Sequence, residues 1–129
     1  MPPSGRTQTL SIMLSQTDLA HFTGTSQYYK HGIGPLTIYL TDGCKHVAEE
    51  GKAYWLFDLI LSYQMYRTVK QQFVQVWKLQ KQKNDGWLAT CEDGNGTVLQ
   101  KQEIYYSDFA LDSITILVKD NICLLPSED

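Results

Sequence analysis

Lys52-Ala-Tyr-Trp-Leu-Phe-Asp-Leu-Ile-Leu-Ser-Tyr-Gln-Met-Tyr66 is apolar or aromatic on almost every side of a helical projection, with one carboxylate, Asp58, set inside it. A helix that is hydrophobic all round belongs in the middle of a domain. The segment is therefore expected to be the core element, a single long helix over about residues 53–69. Asp58 then needs a partner, because an unpaired buried carboxylate is very costly. It lies one turn from Tyr54 and from Ser62. Two readings follow: a buried structural carboxylate held by a tyrosine or the backbone, or a carboxylate at the floor of a pocket.

The segments on either side supply what such a helix would pack against. Upstream, Asp42 is a natural N-cap and Gly51 a natural C′ glycine, enclosing a short helix over about residues 44–50. Further upstream, Tyr28–Lys30 and Leu36–Leu40 read as strands joined by His31-Gly-Ile-Gly-Pro35, and Ser15 or Thr17 caps a short helix near residues 16–22, with Gly24 as its stop. Downstream of Gln72 the period changes to two. Phe73, Gln75, Trp77 and Leu79 share one face, and Trp87, Ala89 and Cys91 share one face of a return strand. Asn84-Asp-Gly86, Asp93-Gly-Asn-Gly96 and Asp120-Asn121 are turn signals between further strands at about residues 97–106, 114–119 and 122–125. Tight turns between consecutive strands predict an α+β fold: an antiparallel sheet of about five to seven strands packed on the central aromatic helix, with short flanking helices. Residues 1–14, rich in Pro, Ser, Thr and Gly, read as a flexible N-terminal extension, and residues 15–129 as one domain.

The totals fit a packed globule. Among 129 residues, 43% are hydrophobic and 19% charged, and three Trp, eight Tyr and four Phe can fill a sizeable core. A net charge of −3 argues against a general affinity for nucleic acid. A local contact through Lys78, Lys81, Lys83 and Lys101 is the weaker exception. Cys44, Cys91 and Cys123 are odd in number and widely spaced, which fits neither a disulfide framework nor a structural zinc site. The expectation is reduced, mostly buried thiols in a cytoplasmic protein. No apolar run is long enough to span a bilayer.

Few constellations carry chemistry. Asp42, Cys44 and His46 have the residue types of a nucleophile site, but residues two apart on a helix point to different sides, and a helix-capping role accounts for Asp42. His21, Tyr28, Tyr29 and His31 make an imidazole-rich and aromatic stretch, yet the histidines at 21, 31 and 46 lack any short metal-ligand spacing. Asp93-Gly-Asn-Gly-Thr97 begins like a calcium loop and then fails, with Val98 and Ile104 where glycine and an acid are needed. No metal and no cofactor are expected.

Taken together, Phe22-Thr-Gly-Thr25, Thr41-Asp-Gly43, Ala53-Tyr-Trp-Leu56 followed by Asp58, Val76-Trp-Lys-Leu79, Asp93-Gly-Asn-Gly96, Ser107-Asp-Phe109 and Leu124-Leu-Pro-Ser-Glu128 resemble a bacterial domain family of unknown function, common in cyanobacteria. The resemblance covers about residues 15–128 and implies no activity. This chain departs from the family's pattern at Lys52, where members often carry a second glycine, and at Ala110, where they carry proline. Many members begin near the position of Met13.

The expected function is a non-catalytic protein-interaction or regulatory module of the bacterial cytosol, with a mobile-element origin compatible. Its expected partner is a protein, with homodimerisation left open and no role for a membrane or nucleic acid. The alternative is a small-molecule-binding or hydrolytic domain using a pocket beside the Asp58 helix. Its candidate binding residues are Asp58, Tyr54, Asp42, His21, Tyr29 and His31, and none is assigned a catalytic role.

Overall fold

The structure, a computed structural model, describes residues 14–129. The extension expected over residues 1–14 lies outside the described residues, apart from Leu14. That residue is buried beside Gly51 and Phe109, so the domain takes it in.

Among the described residues, four short helices and seven strands follow in the order α1 (Gln16–Ala20), β1 (Tyr29–Ile33), β2 (Leu36–Leu40), α2 (Asp42–Glu50), α3 (Tyr54–Tyr63), α4 (Arg67–Lys70), β3 (Gln75–Lys81), β4 (Trp87–Glu92), β5 (Val98–Ile104), β6 (Ser113–Lys119) and β7 (Ile122–Leu124), closed by a 3-10 turn at Pro126–Glu128. The strands form one sheet in the spatial order β1-β2-β7-β6-β3-β4-β5. The fold is α+β, as the sequence indicates. All neighbours are antiparallel except β2 and β7, where Tyr39 pairs with Ile122 and Leu40 with Cys123 in parallel. This junction joins the N-terminal hairpin to the C-terminal one across most of the chain, a pairing that local periodicity cannot show.

One face of the sheet carries the core. Ile38, Leu40, Cys123, Ile114, Ile116, Val118, Trp77, Leu79, Trp87, Ala89 and Cys91 point into it and are buried. Val47, Leu56, Phe57 and Ile60 come down on them from α2 and α3. The alternation read from Gln75 to Leu79 and from Trp87 to Cys91 is the alternation observed. Phe73 is a correction: it precedes β3 and is 90% exposed, outside the buried face.

The opening segment behaves differently from a helix buried all round. Only Leu56, Phe57 and Ile60 are fully buried on α3, while Tyr54 and Asp58 face solvent. A two-layer domain covers a helix on one side only, so even an aromatic-rich helix keeps a wet face. Nor does the helix continue to residue 69. It ends at Tyr63, and Tyr66 is extended (φ −90°, ψ 120°) before α4 begins. The cause is tertiary. Buried Gln64 donates to the Ile60 carbonyl (3.0 Å) and exchanges amide hydrogen bonds with buried Gln75 at the start of β3, at 2.8 Å in both directions. That clamp turns the chain into the sheet.

Two further helix ends differ from expectation. Thr41, not Asp42, is the N-cap of α2, accepting from the Cys44 amide at 3.3 Å, while Asp42 is the first helical residue. At the other end Gly51 is in the right-handed region (φ −86°), and Lys52 takes the left-handed conformation with φ +51°. A side chain there costs of order 1 kcal/mol relative to glycine. Replacing exposed Lys52 by glycine is expected to raise stability by about 0.5–1 kcal/mol, seen as a higher thermal midpoint. A lower midpoint would contradict it. The first helix ends at Ala20, before Gly24, and β1 runs on to Ile33, so the hairpin turn is Gly34-Pro35 alone.

Candidate functional site

Alternate residues of β1, Tyr29 and His31, pair with the inward residues Leu40 and Ile38 and therefore lean toward the helices. Asp42 and Lys45 come from the first two turns of α2, and Tyr54 and Asp58, four residues apart, from one face of α3. These side chains meet. Asp42 Oδ2 accepts the Ser26 amide (2.8 Å) and hydroxyl (2.9 Å), and its Oδ1 accepts the Tyr29 hydroxyl (3.1 Å). The Asp42 amide donates to Thr25 Oγ1 at 2.8 Å. Lys45 Nζ lies 5.3 Å from the Tyr29 ring centre and 5.4 Å from that of Tyr54, donates to the Tyr54 hydroxyl at 2.8 Å, and reaches Glu49 at 3.8 Å. His31 lies against the Tyr54 ring with centroids 6.1 Å apart, and its Nε2 is 2.7 Å from Asp58 Oδ1.

Five of the six residues singled out in the sequence are thus brought together: Asp58, Tyr54, Asp42, Tyr29 and His31. His21 is the exception, standing apart and exposed at the C-terminal end of α1. Asp58 is a correction as well. Its side chain is 67% exposed and bonded to His31, neither buried nor on a pocket floor. Lys45 has no signal in the sequence beyond its i, i+4 spacing to Glu49; its place between two tyrosines arises because β1 and α3 flank α2 in space. A second imidazole–carboxylate pair also escapes sequence reasoning. His46 Nε2 lies 2.6 Å from Asp18 Oδ2, with the Phe22 ring 5.1 Å from the imidazole, and ties α1 to α2.

The electrostatics hold Asp42, Tyr29 and Lys45 in their ordinary neutral-pH forms. The Ser26 backbone amide, then the Ser26 hydroxyl, keep the Asp42 carboxyl below the usual carboxylate range. Partial burial, and then the Asp42 carboxylate, push the Tyr29 phenol up. The hydrogen bond to Tyr54 pushes the Lys45 ammonium up. So the carboxylate stays ionised, the phenol stays protonated and the amine stays charged, the reverse of what a base or nucleophile working near neutrality needs.

A test of stability follows from Asp42. Its folded carboxyl titrates below the unfolded one, so its contribution is present above the unfolded value of about 3.8 and is lost as pH falls through the folded value. Asp42→Asn is expected to flatten the acid limb of a stability–pH curve below about pH 4. An unchanged limb would show that the Ser26 and Tyr29 contacts contribute nothing in solution.

The cluster forms a ridge, and the larger cavities lie elsewhere. One of about 770 Å³ is lined by Lys83, Trp87, Lys101 and Tyr105 at the β3–β4 hairpin end, and one of about 440 Å³ by Lys70, Phe73 and Asn121. Among the described residues no group of three or more His, Cys, Asp or Glu side chains could hold a metal ion. Cys44, Cys91 and Cys123 are free and buried, and burial pushes the Cys91 thiol up to about 12. No helix among the described residues is long and apolar enough to cross a membrane.

The model of a family of unknown function, DUF6876, matches residues 13–129. The chain belongs to that family. The match takes in the β-sheet, the helices α1 to α4 and every residue of the ridge. No curated protein and no solved structure matches the chain.

Proposed function

We propose that this DUF6876 domain is a non-catalytic protein-interaction module of the bacterial cytosol that binds a protein partner through the Tyr29–Lys45–Tyr54–His31–Asp58 ridge. The observation that carries this reading is the pairing of charge with exposed aromatic surface. Tyr54 is 39% exposed and borders groups whose charges are already matched within the chain, Lys45 through the Tyr54 hydroxyl and Glu49, and His31 through Asp58. Tyrosine contributes large, rigid contact area at low entropic cost and dominates binding hot spots, and pre-paired charges add specificity without an unmet desolvation demand. The hydrolytic alternative shares the convergence of side chains. It would have to move protons through the His31–Asp58 pair, since Asp42, Tyr29 and Lys45 are held in their resting forms.

The test is capture on immobilised protein followed by affinity measurement with each captured partner. Tyr54→Ala and Lys45→Glu are expected to weaken binding by about 30-fold, the effect of losing about 2 kcal/mol at a hot spot, while Lys83→Glu on the far hairpin leaves it unchanged. A partner indifferent to Tyr54→Ala and Lys45→Glu overturns the assignment of this surface. Ester or phosphoester turnover abolished by Asp58→Asn would replace it with the hydrolytic reading.

A further inference from the structure

Among the described residues the sheet ends in two edges, β1 and β5. An edge strand presents a row of unpaired backbone N–H and C=O groups, a template for one more strand. β1 is a poor template: it is five residues long, and Gly32 within it stands at φ +114°. β5 is a better one. It runs for seven residues without proline or a positive φ. Residues 100–104 pair with β4 without interruption, from Gln100 opposite Cys91 to Ile104 opposite Trp87. Lys101, Gln102 and Glu103 at its centre are all exposed. Among the described residues neither Lys101 nor Glu103 takes part in an ion pair.

We infer that β5 is a self-association edge and that its occupant is β5 of a second copy of the same chain, added antiparallel so that the two sheets run on as one. The charges along the strand select both the occupant and the register. Side chains directly opposite one another across an antiparallel pair lie on the same face, so a symmetric pairing matches residues an even number apart. A two-fold axis through Lys101 would set two ammonium groups opposite each other, and one through Glu103 would oppose two carboxylates, which is destabilising. An axis through Gln102 sets each Lys101 opposite the second copy's Glu103, twice over. Both charges that lack an ion pair within the chain thereby gain one. Gln102 then faces its own copy, with its side chain held by the Tyr63 hydroxyl at 2.8 Å. In the same register Ile104 falls opposite Gln100. The chain beyond it carries Tyr105 and Tyr106, 94% and 77% exposed, to the second copy's Leu99 and Val98. A lysine in mid-edge ordinarily discourages strand addition. Here one register alone places a counter-charge directly opposite it, so the residue that turns other strands away admits this one. The inference does not depend on the ridge, which β1 carries with α2 and α3 at the opposite edge of the sheet.

Sedimentation of the full 129-residue chain from about 1 to several hundred µM is expected to show a shift from the 14.7 kDa monomer to twice that mass. Lys101→Glu and Glu103→Lys should each weaken the dimer by about 10- to 100-fold, since two attractive cross-strand pairs become two repulsive ones. Both residues are exposed, so each variant is expected to fold as the parent does. Mixed one to one, the two variants should associate again, because each supplies the charges that the other needs opposite it. A monomer at every concentration overturns the inference. So does a dimer indifferent to both substitutions, and so does a mixture of the two dissociated variants that fails to associate.

Discussion

Replacing Gln75 by leucine is expected to cost about 2–4 kcal/mol, one of the largest losses available from a single side chain outside the apolar core. Gln75 is 3% exposed and Gln64 is 7% exposed. Their amides exchange two 2.8 Å hydrogen bonds, and Gln75 Oε1 also accepts the indole N–H of buried Trp77 at 2.9 Å. Leucine has a similar volume, so little cavity forms. The loss comes from stranding the Gln64 amide and the Trp77 N–H in a region without water, at about 1–3 kcal/mol for each unsatisfied group. The thermal midpoint should fall by roughly 8–15 °C. The double variant Gln64→Leu/Gln75→Leu separates this account from simple loss of packing. It removes both amides together, so its cost should be less than the sum of the single costs by about 1–2 kcal/mol. Additive costs would show that the amide pair contributes nothing as a pair. Proteolysis should report the same event locally, because losing the clamp frees the segment between α3 and β3.

Glu128→Ala is expected to cost about 2–3 kcal/mol. The Glu128 carboxylate seats on the start of α2. Oε1 accepts the Thr41 hydroxyl at 2.6 Å and the Leu125 amide at 2.9 Å, and Oε2 accepts the Gly43 amide at 3.0 Å. Bonds to an ionised acceptor are stronger than neutral ones, and a negative charge at a helix N-terminus gains from the helix dipole. Gly43 makes the fit feasible. A Cβ there would come within 2.6 Å of the Leu125 side chain and 2.7 Å of Glu128 Oε1. Gly43→Ala should therefore reproduce much of the Glu128→Ala loss, by displacing the carboxylate while leaving it in the chain. Glu128→Gln should fall between, since one amide oxygen cannot serve donors on both sides. Equilibrium urea unfolding gives the comparison, and a Glu128→Ala midpoint equal to that of the parent chain would show the seat to be idle. Leu125 and Glu128 belong to the Leu124-Leu-Pro-Ser-Glu128 run, and this anchoring is a physical reason for those residue types there.

The parts of the fold legible in the sequence are those governed by neighbours along the chain. Two-residue alternation from Gln75 to Leu79 and from Trp87 to Cys91 marks a half-buried strand whatever lies on the other side. Asp120-Asn121 and Asn84-Asp-Gly86 mark turns because their backbones must enter the left-handed region, and Asp120, Asn121 and Asp85 do so at φ +51°, +65° and +67°. Helix ends are less legible where the cap competes with long-range contacts. Asp42 has the side chain of an N-cap, but its carboxylate is engaged by Ser26 and Tyr29, and Thr41 caps instead. At the Gln64 break, local helix preference yields to a hydrogen bond from eleven residues away.

The candidate site shows the same division. Aspartate, histidine and tyrosine could be chosen by residue type alone, and five of the six so chosen meet on one ridge. Local order could not supply Lys45, because its tyrosine partners are sixteen residues before it and nine after it along the chain. Nor could it place Asp58 at the surface. A helical projection reports which residues share a face, not which face the sheet will cover. By itself, the sequence of this DUF6876 chain determined its strands, its turns and its α+β class, since each depends on contacts within a few residues. Only the tertiary structure decided the parallel β2–β7 junction, the amide clamp that ends α3, the Glu128 seat and the exposure of Asp58. Those depend on which distant segments come to lie side by side, and side-chain type does not encode that distance.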